Sequence, residues 1–144
     1  MSPARIRWRV VVDTNVLISG LLFGGKPAEI LDLALDQAFV LLTSPAMEME
    51  LIRVLTRKFE VSSAGVTGII ALIRSTSESI QTESMLTLCR DESDNRVLEC
   101  ALDGGANYIV TGDLDLLSMP PFQHSIILRP DEFLTQFCAA QPHH

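Results

Sequence analysis

Lysine is nearly absent. Lys26 and Lys58 are the only two, and 11 Lys and Arg stand against 18 Asp and Glu, a net charge of −7. Phosphate contacts come from Lys and Arg, so a basic nucleic-acid-binding surface is not what this composition offers. Cysteine is scarce too. Cys89, Cys100 and Cys138 are odd in number and show no CxxC spacing. Neither a disulfide framework nor a zinc site is expected, and the three read as buried or half-buried thiols of a cytosolic protein. His124, His143 and His144 form no ligand pattern, and the last two read as a tail. No apolar run approaches the roughly 18 residues of a transmembrane helix. No cleavage-type signal follows the N-terminal segment, so a cytoplasmic protein free of membrane is expected. P-loop, GxGxxG, HExxH and GxSxG motifs are all missing, as are repeats, low-complexity tracts and linkers.

What is present is alternation. The chain has 144 residues, 47% of them hydrophobic, which suits one domain over 1–144 with a real core. Val10–Val12 is a short β-branched run ended by Asp13-Thr14-Asn15. "NVLISGLLFGG" reads as a helix stopped by Gly24-Gly25, and Pro27 as the opening of a second helix. Phe39–Leu42 is a strand. Ser44-Pro45 caps and starts a helix running to about Phe59 with Met47, Leu51, Val54 and Leu55 inward. A helix over about 63–77 carries Ile69, Ile70, Leu72 and Ile73. "SIQTE" is a weak strand. "RDESDNRVLECALDGG" is a helix with an acidic start, a glycine stop and an apolar face of Val97, Leu98, Ala101 and Leu102. "NYIVTG" and "SIILRP" are strands, "DLDLLSM" is a helical turn, and Pro130 begins the last helix. Strands alternating with helices over short connections predict a three-layer α/β/α sandwich around a mostly parallel sheet.

Ligands of such sheets bind beyond the carboxyl ends of the strands, near the switch in strand order. Asp13 is the first residue past the first strand, and Asp113 lies just past "YIVT". Asp94 is in the first turn of the helix that feeds this strand, and Glu50 follows the second strand. Asp115 adds a fifth acid. Each has an ordinary explanation. Asp94 suits a helix N-terminus, Glu50 flanks an apolar stripe, and Asp113 and Asp115 suit a turn. On a helical wheel Glu48 competes with Glu50 and is not excluded. Asp13 is hardest to explain away, because a carboxylate after a buried run needs partners or a cation. Gathered together, such groups repel by roughly 4 kcal/mol per pair at 4 Å and an effective dielectric near 20. They must take up protons or hold Mg²⁺ or Mn²⁺, which suits phosphodiester hydrolysis.

Taken in order, "VVVDTNVLISGLL", "SPAMEMELIRVLTRKF" and "RDESDNRVLECALDGGANYIVTGDLDLL" resemble the PIN domain, and more closely the VapC-like toxin ribonucleases of toxin–antitoxin systems. The resemblance spans about Arg9 to Phe137. It implies a metal-dependent endoribonuclease. By position it makes Asp13, Glu50, Asp94 and Asp113 the catalytic acids, with Asp13, Asp94, Asp113 and Asp115 around Mg²⁺ or Mn²⁺. Asn15 and Thr111 become the groups that orient Asp13 and Asp113, and Gly112 lets the chain turn closely past the strand end. Arg53, Arg57 and Arg96 are candidates to steer RNA. Arg5, Arg7 and Arg9, by contrast, read as a solvated face. The resemblance also implies a small antitoxin partner and self-association as a homodimer or larger homo-oligomer. Two other readings are weighed. A phosphatase of the haloacid-dehalogenase type needs a second Asp where Asn15 stands, and it and a receiver domain both need a lysine at a strand end. A non-catalytic module that binds RNA or protein would not need the acids intact.

Overall fold

Val10, Val11 and Val12 point alternately into two different cores, and this fixes the architecture. Period-2 alternation sends neighbouring strand residues to opposite sheet faces. A computed structural model of the chain describes residues 7–140. Val10 and Val12 join one apolar cluster, with Ile18, Ile30, Leu55, Ile73 and Phe133. Val11 joins the other, with Leu98, Ala101, Ile109 and Leu116. A strand buried on both faces is the mark of a sheet covered by helices on each side, and the three layers follow.

The elements run β1 (Arg9–Val12), α1 (Thr14–Leu22), α2 (Gly25–Leu35), β2 (Val40–Thr43), α3 (Pro45–Arg57), α4 (Ser63–Thr76), β3 (Ser77–Ser79), α5 (Glu92–Gly104), β4 (Tyr108–Val110), α6 (Leu114–Leu117), β5 (Ile126–Leu128) and α7 (Pro130–Ala140). The sheet order is β3-β2-β1-β4-β5, with every pairing parallel. The chain leaves β1 toward β2 on one side and returns to β4 on the other. The switch in strand order therefore falls between β1 and β4.

Local chemistry explains most boundaries. Ser44 Oγ accepts from the Met47 amide at 3.2 Å, so α3 has the cap its sequence promised. Gly105 ends α5 in the left-handed region, φ 62°, while the Ala106 amide donates to Ala101 O at 2.9 Å. Gly20 lets α1 and α2 touch: a Cβ there would sit 2.7 Å from Pro27 O.

Several expectations are corrected. Helix α2 begins at Gly25, two residues before Pro27, because first-turn amides have no helical acceptor and a proline fits there. Strand β3 is Ser77–Ser79 rather than the "SIQTE" segment. Only Ile80 extends the ladder, its amide donating to Thr43 O at 2.7 Å. Beyond it, the Glu83 and Ser84 amides find Asp103 Oδ2 at 2.7 and 2.9 Å, so the backbone needs no strand partner. Leu72 and Leu102 are partly exposed instead of inward, and Cys138 is exposed. Arg9 is no free surface cation. Its Nε donates to Gly104 O at 2.8 Å, at the carbonyl end of α5, and Nη1 lies 2.7 Å from Glu78. Arg5, His143 and His144 lie outside the described residues.

Candidate metal centre

The end of β1 and the end of β4 are adjacent, and the site grows from that junction. The Asp13 amide donates to Val110 O at 2.9 Å, and the Thr111 amide to Leu128 O at 3.0 Å. Asp13 is therefore fixed by the sheet one residue past the last strand position. The residue is 7% exposed. Thr111 Oγ1 donates to Asp13 Oδ2 at 2.7 Å and accepts from the Asp113 amide at 3.0 Å. One hydroxyl thus ties Asp13 to the loop that carries Asp113. Asp113 caps α6: its Oδ1 accepts from the Asp115 and Leu116 amides at 2.8 and 3.2 Å. Gly112 has no positive φ, and a Cβ on it would meet open space. It leaves the cleft bare there but is not needed for the turn, contrary to the expectation.

Asp94 arrives from the opposite direction. Asp91 caps α5 through the Ser93 amide at 2.9 Å, which places Asp94 in the first turn. It is 4% exposed. Its Oδ2 is buried without any hydrogen-bond partner. One oxygen each of Asp94, Asp113 and Asp115 lie within 4.8 Å of one another. Burial foremost, then the charges of Asp113, Asp13 and Asp91, raise the Asp94 pKa to about 7. Asp13 is raised as well, again chiefly by burial. The Thr111 hydroxyl and the Asn15 and Thr14 amides offset this, and the charge of Asp113 adds to it. Both acids are thus held in surroundings that penalise their charge and offer no protein cation to Asp94. A divalent cation is a group that such a donor set fits: hard oxygen ligands gathered together, one of them buried without a partner.

The remaining candidates fall on two sides. Glu50 lines a pocket of about 230 Å³ with Asp13, Asp94 and Asp113, and its carboxylate pairs with Arg53. Glu48 pairs with Arg74 and lines a different pocket, beside Ser77 and Ser79. The helical wheel left these two open, and the folded helix separates them. Asn15 is exposed on the cleft, and among the described residues its side chain makes no hydrogen bond. Its main chain, rather than its amide group, acts on Asp13. Arg53 and Arg57 are exposed along α3. Arg96 is fastened to Glu99, Nη2 to Oε2 at 2.9 Å, and is less free to reach out.

Arg90 and Asn95 escaped the sequence reading. Arg90 grips Asp115 with two parallel hydrogen bonds, Nε to Oδ2 at 2.9 Å and Nη2 to Oδ1 at 3.0 Å, and this holds the Asp115 pKa below its ordinary value. Its signal was a single cation heading the acidic run "RDESDN". Asn95 takes both main-chain groups of Cys89, Oδ1 from its amide at 2.8 Å and Nδ2 to its carbonyl at 3.0 Å. Burial first, then the surrounding aspartates, raise the Cys89 thiol pKa.

A parallel sheet whose switch point gathers four aspartates defines a class: acid-centred α/β domains. Residues 9–115 match the model of the PIN domain. The uncharacterized protein MJ1680 of Methanocaldococcus jannaschii is 32% identical over 146 residues, covering 92% of this chain and 94% of that one. The chain belongs to the PIN domain family, whose members are generally nucleases. Among the described residues, no helix is long and apolar enough to cross a membrane.

Proposed function

We propose that the chain is a Mg²⁺- or Mn²⁺-dependent endoribonuclease of the VapC-like kind. The observation that carries this reading is the buried, unpartnered Asp94 Oδ2 beside Asp113 and Asp115. An interaction module would have no use for a carboxylate so placed, since leaving one unpaired costs about 1–3 kcal/mol or more. Asp94, Asp113, Asp13 and Asp115 would hold the cation. When bound, it neutralises the acids, lowers the pKa of a water and stabilises the leaving oxygen. The chain's own residues do the rest. Thr111 keeps Asp13 and Asp113 in register. Glu50, released from Arg53, accepts the proton of the attacking water. Arg53 and Arg57 then face the phosphates, with Arg96 behind them. No covalent intermediate is required. A phosphatase with an aspartyl nucleophile is disfavoured, since Asn15 stands at the second acid position and no lysine lines the cleft.

The finer biology rests on the same resemblance: a toxin acting in the cytoplasm, restrained by a small antitoxin and self-associating. Met49 and Ile52 on α3 and Leu72 on α4 are exposed and supply apolar surface for such contacts. The chemistry is tested by incubating single-stranded RNA with the wild type, Asp13→Asn and Asp94→Asn in Mn²⁺ or Mg²⁺. Cleavage by the wild type alone, abolished by chelator, is expected. Full cleavage by both variants, or cleavage in excess chelator, overturns the reading.

A further inference from the structure

The segment between β3 and α5 has no regular structure over 80–89, yet its main chain is held at three levels by one helix. Asp103 takes the Glu83 and Ser84 amides. Glu99, itself buried, takes the Leu86 amide at 2.8 Å. Asn95 takes Cys89 at both its amide and its carbonyl. These three side chains stand four residues apart on α5, so they form one stripe along the helix. The strap they fasten ends at Arg90. The next residue, Asp91, is locked as the cap of α5. Arg90 is therefore flanked on one side by a two-point clamp and on the other by a helix cap. Its own side chain is 86% exposed.

An exposed ion pair adds little stability, so stability does not account for the Arg90–Asp115 pair. Position does. Arg90 lines an open cleft of about 630 Å³ together with Asp13, Asp113 and Asp115. Among the described residues it is the one cation in that lining. Its contact with Asp115 engages two of the five guanidinium N–H groups and leaves three to donate. A guanidinium fork matches a phosphate, and holding it still removes the ordering cost that a free side chain would meet on binding. The acids repel a polyanion, and among the side chains lining this cleft Arg90 alone attracts one.

We propose that Arg90 is a phosphate-binding residue of the cleft, aimed by Asp115 and held in place through Asn95, and that it grips the RNA backbone beside the metal centre. This deepens the nuclease reading and rests on its substrate class. It also gives Asp115 a positioning role. An oxygen that accepts from Arg90 keeps a second lone pair, so that role is compatible with a cation nearby.

The test is equilibrium binding of a labelled single-stranded RNA oligonucleotide in excess chelator, across a range of NaCl concentrations, for the wild type, Arg90→Ala and Arg90→Lys. Thermal midpoints confirm that all three are folded. For Arg90→Ala, affinity is expected to fall roughly tenfold, and the slope of log K against log salt to become shallower by about 0.7, one phosphate contact on a single strand. Arg90→Lys restores the slope, because it restores the charge. An Arg90→Ala variant with the wild-type slope and affinity overturns the proposal. A wild type that neither binds RNA in chelator nor cuts it with Mn²⁺ overturns it together with the substrate class, and one that cuts RNA with Mn²⁺ but binds none in chelator overturns Arg90 as the phosphate grip. A wild type that binds RNA but cuts none with Mn²⁺ overturns only the nuclease reading, and the slope then still decides for or against Arg90.

Discussion

Asp94 is 4% exposed with one oxygen unbonded, and its protonation has a thermodynamic consequence. The ordinary pKa near 3.8 is raised to about 7, by burial and then by neighbouring negative charge. Between about pH 4 and pH 7 the folded chain keeps a proton that the unfolded chain has released. Folding then binds protons, so stability falls as pH rises through that window. Denaturant titrations in chelator at pH 5 and pH 7.5 should show the wild type less stable at the higher pH. An Asp94→Asn variant should lose most of that difference, be more stable than the wild type at pH 7.5 by about 1 kcal/mol, and cleave RNA at least about 100-fold more slowly. Asp13 was legible because a carboxylate directly after a buried run has few ordinary explanations. Arg90 was not, because its partner Asp115 lies 25 residues away and only the fold brings the two together.

The elements make their own predictions. Asn95→Ala removes both hydrogen bonds to Cys89 and leaves that main chain part-buried and unpaired. A loss of about 2 kcal/mol is expected. Hydrogen exchange should speed up at the amides of the strap while the β1 amides remain protected at the level set by global stability. Gly20→Ala puts a Cβ 2.7 Å from Pro27 O, a main-chain atom that cannot swing aside. Parting α1 from α2 should cost about 1–3 kcal/mol, read as a shift in the urea midpoint. Helices and central strands were legible because caps, glycine stops and apolar periodicity are local signals. Edge strand β3 was placed two residues late. Its composition, Ser-Glu-Ser, carries no β signal, and its position is set by where α4 ends and by pairing with β2. The clamp of α5 on the strap was illegible for the opposite reason. Asn95, Glu99 and Asp103 look like an ordinary polar face, and nothing local says that Glu99 is buried.

At the scale of the molecule, the proposed metal centre would relieve part of the excess negative charge. A cation that binds only the folded form stabilises it by RT ln(1 + [L]/Kd), about 2.7 kcal/mol at a concentration a hundredfold above Kd. Mn²⁺ should therefore raise the thermal midpoint of the wild type and leave that of Asp94→Asn nearly unchanged, as followed by differential scanning calorimetry. An equal rise in both would place the ion elsewhere.

The strand order has one more consequence, in time rather than space. β1 lies in the middle of the sheet, and one of its two neighbours is β4. Asp13 therefore leaves the ribosome long before Thr111 and Asp113, the residues that fix and complete its surroundings. Until β4 and the loop after it have emerged, the nascent chain has no assembled acidic centre. On the nuclease reading proposed above, such a chain stays inert toward the message that encodes it until β4 has emerged, with the delay built into the sheet itself.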